Sequence, residues 1–134
     1  SEEAVDADSN PVYMTWDDAA EYCDFLVKDE FSDWRLPTVN ELRTLIKNCP
    51  ASEKDGACGV TDMCLSSSCN IDCDGCDYET DGRYSKLDFQ SLTPFWTYSL
   101  CDDVPDEAWS IHFVGAIINK SGKTATYAVR CVRY

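Results

Sequence analysis

The sequence predicts an α+β chain: two helices, a long disulfide-pinned loop, then a small twisted antiparallel sheet. Three observations carry this expectation. Two threonines in the first third, Thr15 and Thr38, are each followed three residues later by an acid and then by apolar residues at helical spacing. The middle holds Cys49, Cys58, Cys64, Cys69, Cys73 and Cys76 with several glycines and no apolar periodicity. The last third alternates apolar with polar residues, as a half-buried strand does.

Taken in order, residues 1–12 are polar and acidic and read as an N-terminal arm. The domain proper is expected to span 13–134 as one unit, with a cysteine-rich insert at about 50–94. The first helix is expected from 15 to about 27. Thr15 caps it, Asp18 is the capping-box acid, and Trp16, Ala19, Ala20, Cys23, Leu26 and Val27 form one apolar stripe. Pro37 then holds Leu36 extended. Thr38 and Glu41 make a second capping box, opening a helix expected to run to about 48 with Leu42, Leu45 and Ile46 inward. Arg35, set between Trp34 and Leu36, is expected to serve a buried or half-buried carboxylate or carbonyl of its own chain. From Phe95 onward strands follow. Trp109, Ile111 and Phe113 alternate with Ser110, His112 and Val114, and residues 119–123 read as a hairpin turn. Residues 126–134 are apolar on both faces and read as a central strand.

Length and composition bound the rest. With 134 residues, 44% of them hydrophobic, the chain is long enough for one domain with a core and too short for two domains. No apolar run is long enough for a membrane helix, so no membrane insertion is expected, and the opening Ser1-Glu2-Glu3-Ala4 reads as a mature or trimmed end. A net charge of -14 repels nucleic acid and anionic lipid, and favours cations, neutral sugars or basic partners. Nine cysteines at this length point to disulfides and an extracellular or cell-surface location. The odd count leaves one thiol over.

A tryptophan-led helix with a cysteine (Trp16 to Cys23), then Asp33-Trp34-Arg35-Leu36-Pro37-Thr38 with Glu41-Leu42, resembles the bacterial Lcl C-terminal domain family. The end agrees: Phe95-Trp96-Thr97-Tyr98-Ser99, Ala108-Trp109-Ser110-Ile111-His112-Phe113 and Tyr127-Ala128-Val129-Arg130-Cys131-Val132-Arg133. The resemblance covers about 14–49 and 94–133 and fails between them. It implies a C-type-lectin-like fold, related to the sulfatase-modifying-factor group. Family members have a strand before the first helix. Here either Val12-Tyr13-Met14 takes its place, or that part was removed or comes from another chain. The resemblance also implies a bridge from Cys23 to Cys131. Cys49 is expected to pair with Cys101, and the other five cysteines stay unassigned. Glycosaminoglycan is the implied ligand of Lcl-like relatives, and the acidic charge argues against it here. The sulfatase-modifying relatives use a cysteine pair and copper, but no motif of theirs carries an active site across.

One stretch has cation-loop spacing. Asn70, Asp72 and Asp74 offer oxygens at positions 1, 3 and 5, Gly75 supplies the turn at 6, and Asp81 stands at 12. Cys76 through its carbonyl and Tyr78 or a water would complete a free-standing Ca2+ loop; the plain alternative is a solvated acidic loop held by disulfides. Cys69-x3-Cys73-x2-Cys76 has iron–sulfur spacing, and with Cys64 it could hold zinc, but disulfides are the simpler use. His112, the single histidine, reads as a sheet or surface residue. The acid pairs Asp102-Asp103 and Asp106-Glu107 are common in so acidic a chain and weak evidence of a glycosidase. Trp96 and Trp109 read as sheet core, whereas Tyr98 can face a sugar ring.

The expectation is therefore a non-catalytic extracellular binding or adhesion module, Ca-dependent or Ca-stabilised, recognising a glycan or a surface protein. Its ligand surface would come from the 50–94 loop and the 99–108 turn, with Asp102, Asp103 and Tyr98 in contact. The alternatives are a subunit of a surface filament, pilus or layer, assembling as a homo-oligomer, and a sulfatase-modifying-factor-like thiol oxidase.

Overall fold

The structure, a computed structural model, describes residues 2–3, 11–87 and 92–133. Local signals start the first helix where the sequence places it. Thr15 is the N-cap of α1 (Trp16–Phe25), and its Oγ1 accepts from the Asp18 backbone N–H. Trp16, Ala19 and Cys23 are buried from this helix. It ends at Phe25, sooner than expected: Phe25 is 76% and Val27 71% exposed.

Helix α2 (Val39–Arg43) is a single capped turn rather than a helix to about 48. Its capping box is complete, with Thr38 N–H donating to Glu41 and Glu41 N–H donating to Thr38. Leu45 and Ile46 then bond back three residues, to Leu42 and Arg43, and Ile46 pairs with Ser85. Tertiary pairing thus ends the helix before its apolar periodicity does.

Strands β2 (Phe95–Leu100), β3 (Glu107–His112) and β4 (Ile117–Gly122) form an antiparallel sheet in that spatial order. The expected hairpin turn at 119–123 is misplaced. Asn119 pairs with Ser110 and Lys120 with Trp109, and the Lys120 ammonium reaches Glu107 across the strands. The β3–β4 reversal lies at 113–116, where Ala116 takes φ +53°. Nor do residues 126–133, the described part of the expected 126–134 strand, form a central strand. They run as isolated bridges, Tyr127 with Met14, Ala128 with Phe95 and Val132 with Arg35. Only β5 (Arg130–Cys131) is a strand, paired to β1 (Glu2–Glu3). Met14 and Tyr127 exchange both backbone hydrogen bonds, so the segment before α1 is tied to the chain's end.

Sheet residues alternate between two cores. Phe95, Trp109, Ile111 and Ile118 pack with Val39, Leu42, Ile46 and the cysteine-rich segment. Trp96 and Ala108 pack with Trp16, Ala19, Cys23, Trp34 and Leu36. Among the described residues no helix is long and apolar enough to cross a membrane.

Four disulfides are present. Cys23 and Cys131, the pair implied by the resemblance, are joined. The expected Cys49–Cys101 bridge is not formed: Cys49 pairs with Cys76, and Cys101 is a buried free thiol. Its Sγ–H donates to Asp103, while the Ser67 hydroxyl lies 3.6 Å away. Cys58–Cys73 and Cys64–Cys69 complete the set, so none of the four cysteines considered for zinc or an iron–sulfur cluster is free.

Residues 49–87 hold one short 3-10 turn, Ser67–Cys69, and little other regular structure. A buried arginine organises the first half of this segment. Arg43 is fully buried and donates to the carbonyls of Ala51, Ser52, Glu53, Cys58 and Val60. Buried backbone acceptors in an irregular segment must find donors, and one guanidinium supplies five N–H groups. The second half lies along the β3–β4 turn: Cys76 N–H donates to Gly115, Glu79 N–H to Val114, and Ile118 N–H to Cys73. Gly75 takes φ +76°, and a Cβ there would meet the Gly115 carbonyl at 2.0 Å.

Candidate ligand cleft

A distortion of β2 creates the site. Trp96 pairs with Ser110 and Leu100 with Ala108, so four steps of β2 face two of β3. Thr97 stabilises the bulge: its Oγ1 donates to the Trp109 carbonyl and accepts from Ser99 N–H. Bulges re-aim side chains. Here Phe95, Trp96, Thr97 and Ser99 are buried while Tyr98 is 57% exposed. The Tyr98 N–H donates to Pro37 O, and Ser99 Oγ accepts from Val39 N–H, which locks the bulge to the start of α2. Behind Tyr98 lies Trp16, with ring centroids 5.6 Å apart; the Trp16 indole N–H is fixed on Thr97 O.

Tyr98 opens onto a cleft of about 530 Å³. Ala20 and Asp24, one turn apart on α1, form one wall; Arg35, Leu36, Thr38 and Glu41 form the floor and far side. Arg35 makes a two-pronged ion pair with Glu41, both contacts 2.6 Å, and its backbone exchanges hydrogen bonds with Val132. This is the carboxylate partner expected for Arg35, and it holds the Glu41 carboxyl below its ordinary pKa. Asp62 arrives from the cysteine-rich segment. Its carboxylate accepts from Thr38 Oγ1 and Asn40 N–H, and its own N–H donates to the Asn40 side chain. A hollow of about 320 Å³ adjoins the cleft across Tyr98 and Asp62 and is bordered by Leu65 and Asp102.

The expected contact residues separate. Tyr98 lines both hollows and Asp102 the smaller one. Asp103 instead turns to its own chain: its Oδ1 accepts from Ser67 N–H, Ser67 Oγ and Cys101 Sγ. Those hydrogen bonds, the thiol's first, bring its pKa down to about 2. Sequence reasoning missed Asp24, Leu36, Glu41 and Asp62 as cleft residues. The Thr38–Glu41 capping box was a signal for the floor, whereas nothing local marks Asp62.

Among the described residues no three His, Cys, Asp or Glu side chains gather to hold a metal ion. Asp81 is engaged by Arg83 at 2.8 Å. Cys76 is bridged to Cys49, the Tyr78 ring lies edge-on to His112, and Asn70 reaches toward Asn119. Asp72 and Asp74 are exposed. His112 Nε2 sits 2.6 Å from Leu92 O.

The Lcl C-terminal domain family matches residues 3–133. The chain belongs to this family. The match runs through the cysteine-rich middle, where the motif resemblance fails. No curated protein and no solved structure matches this Lcl C-terminal domain.

Proposed function

We propose that this Lcl C-terminal domain is a non-catalytic extracellular binding module and that the Tyr98 cleft is its ligand surface, recognising a glycan or a surface protein. The observation that carries the reading is Tyr98 itself, an aromatic ring turned out of an otherwise buried strand stretch by a bulge and backed by Trp16. Aromatic faces flanked by polar groups serve ligand binding by stacking and hydrogen bonding. Four disulfides in a small domain support the extracellular setting. The staple from α1 to β5 and the long segment between α2 and the sheet support the C-type-lectin-like reading of the fold. The buried position of Cys101 gives no support to a subunit contact made through the odd cysteine.

Arrays of glycans and of surface proteins, probed with the native chain and with Tyr98→Ala, test the reading. Binding that falls at least tenfold in the variant supports it, and binding indifferent to the substitution removes the cleft from function. Calcium enters only if it draws Asn70, Asp72, Asp74 and Asp81 together. A Tm raised by calcium over chelator supports that role, and an unchanged Tm removes it.

A further inference from the structure

We propose that the Tyr98 cleft selects a cationic side chain, the ammonium or guanidinium head of a lysine or arginine displayed by a basic partner protein. The inference rests on the cleft being the ligand surface and names its ligand class.

Shape and charge lead to the same occupant. The Tyr98 face and the half-buried Ala20, over the buried Leu36, offer apolar contact for a long aliphatic stem, which lysine and arginine bury while keeping the charged head at polar groups. The ring also favours a cation over its face. Around this path stand the carboxylates of Asp24, Glu41, Asp62 and Asp102, against a single guanidinium, Arg35. Arg35 is neutralised by both oxygens of Glu41, so its charge is not offered outward. Asp24 has no hydrogen-bond or ion-pair partner among the described residues. Asp62 uses each oxygen once, on Thr38 and Asn40, and each carboxylate oxygen has a second lone pair to offer. A neutral sugar would leave the cleft's negative charge uncompensated, and a sulfated one would be repelled. The chain's net charge of -14 steers basic partners toward it from a distance.

The test uses the oxidised chain and amide-resolved NMR titration. The probe is a short lysine–serine peptide; its lysine-acetylated twin and a neutral methyl glycoside serve as comparisons. Selective shifts at the amides of Leu36, Asp62 and Tyr98 by the charged peptide support the proposal, as does weakening with added salt. Asp24→Asn, which disturbs no internal bond, should weaken the peptide about threefold, and Asp24→Lys at least tenfold, with the fold checked by the unperturbed Trp109 amide. Equal binding of charged and acetylated peptides, or preference for the glycoside at the same amides, overturns the cation assignment and leaves the cleft as ligand surface. Shifts scattered over 70–81 and indifferent to Asp24→Lys also overturn it, as surface attraction only. If no probe moves the cleft amides while array binding survives Tyr98→Ala, the cleft reading itself falls.

Discussion

Arg43 takes part in the core as a cation without a carboxylate partner in hydrogen-bond contact, its guanidinium satisfied by five main-chain carbonyls. Replacing it with methionine keeps volume but orphans those acceptors. Urea denaturation should show a loss of at least about 3 kcal/mol, since each buried unsatisfied group costs roughly 1–3 kcal/mol. Arg43→Lys, with three donors in place of five, should fall between. Asp103 gives a pH prediction. Its folded pKa of about 2 lies below the ordinary 3.8, so its contribution is fully present above 3.8 and is lost as pH falls toward 2. Asp103→Asn should therefore flatten the acid-side decline of the urea midpoint across that window. Neither role was legible beforehand. Arg43 reads as an ordinary helix residue because its carbonyl partners lie beyond the helix, and Asp103 reads as a ligand contact because nothing local shows that Ser67 reaches it from 36 residues away.

At the scale of elements, the bulge in β2 depends on one hydroxyl. Thr97→Val preserves shape and deletes the bond to Trp109 O and the acceptor for Ser99 N–H. The expected cost is about 1–3 kcal/mol by thermal or urea melting. The Tyr98 amide resonance should move as well, because the bulge that aims the ring is loosened. Elements governed by nearby residues were readable: the Thr15 cap, the Thr38–Glu41 box and the alternation through Trp109 and Ile111. Those governed by distant pairing were not. Asn119-Lys120-Ser121-Gly122 has turn chemistry, yet the pairing of Lys120 with Trp109 and its ion pair with Glu107 hold it in a strand. The real reversal, Phe113 to Ala116, is buried and apolar, and so lacks the polar signature of a turn. The cleft was half visible for the same reason: Tyr98 stands out within its strand, but Asp62 joins it only through the folding of the cysteine-rich segment.

For the whole molecule, the disulfides differ in reach. Cys23–Cys131 spans 108 residues and Cys64–Cys69 only 5. On a chain-entropy account, the paired Cys23→Ala and Cys131→Ala change should cost about 5 kcal/mol, against about 2 kcal/mol for the Cys64 and Cys69 pair. Chemical denaturation of the two double variants checks the ranking. Thiol titration should find one reactive group per chain, Cys101, and only after unfolding. Cysteine density announced that cross-links exist, but several cysteines lie within a few residues of one another, and the spacing gave no means of choosing partners.

The arginine cage around residues 51–60 has one further consequence. A loop pinned by a dissolved ion keeps its shape only while the surroundings supply that ion. Here the positive charge is tethered to the main chain and cannot be diluted or chelated away. This segment, which leads into Asp62, should therefore hold its form in ion-poor and ion-rich media alike.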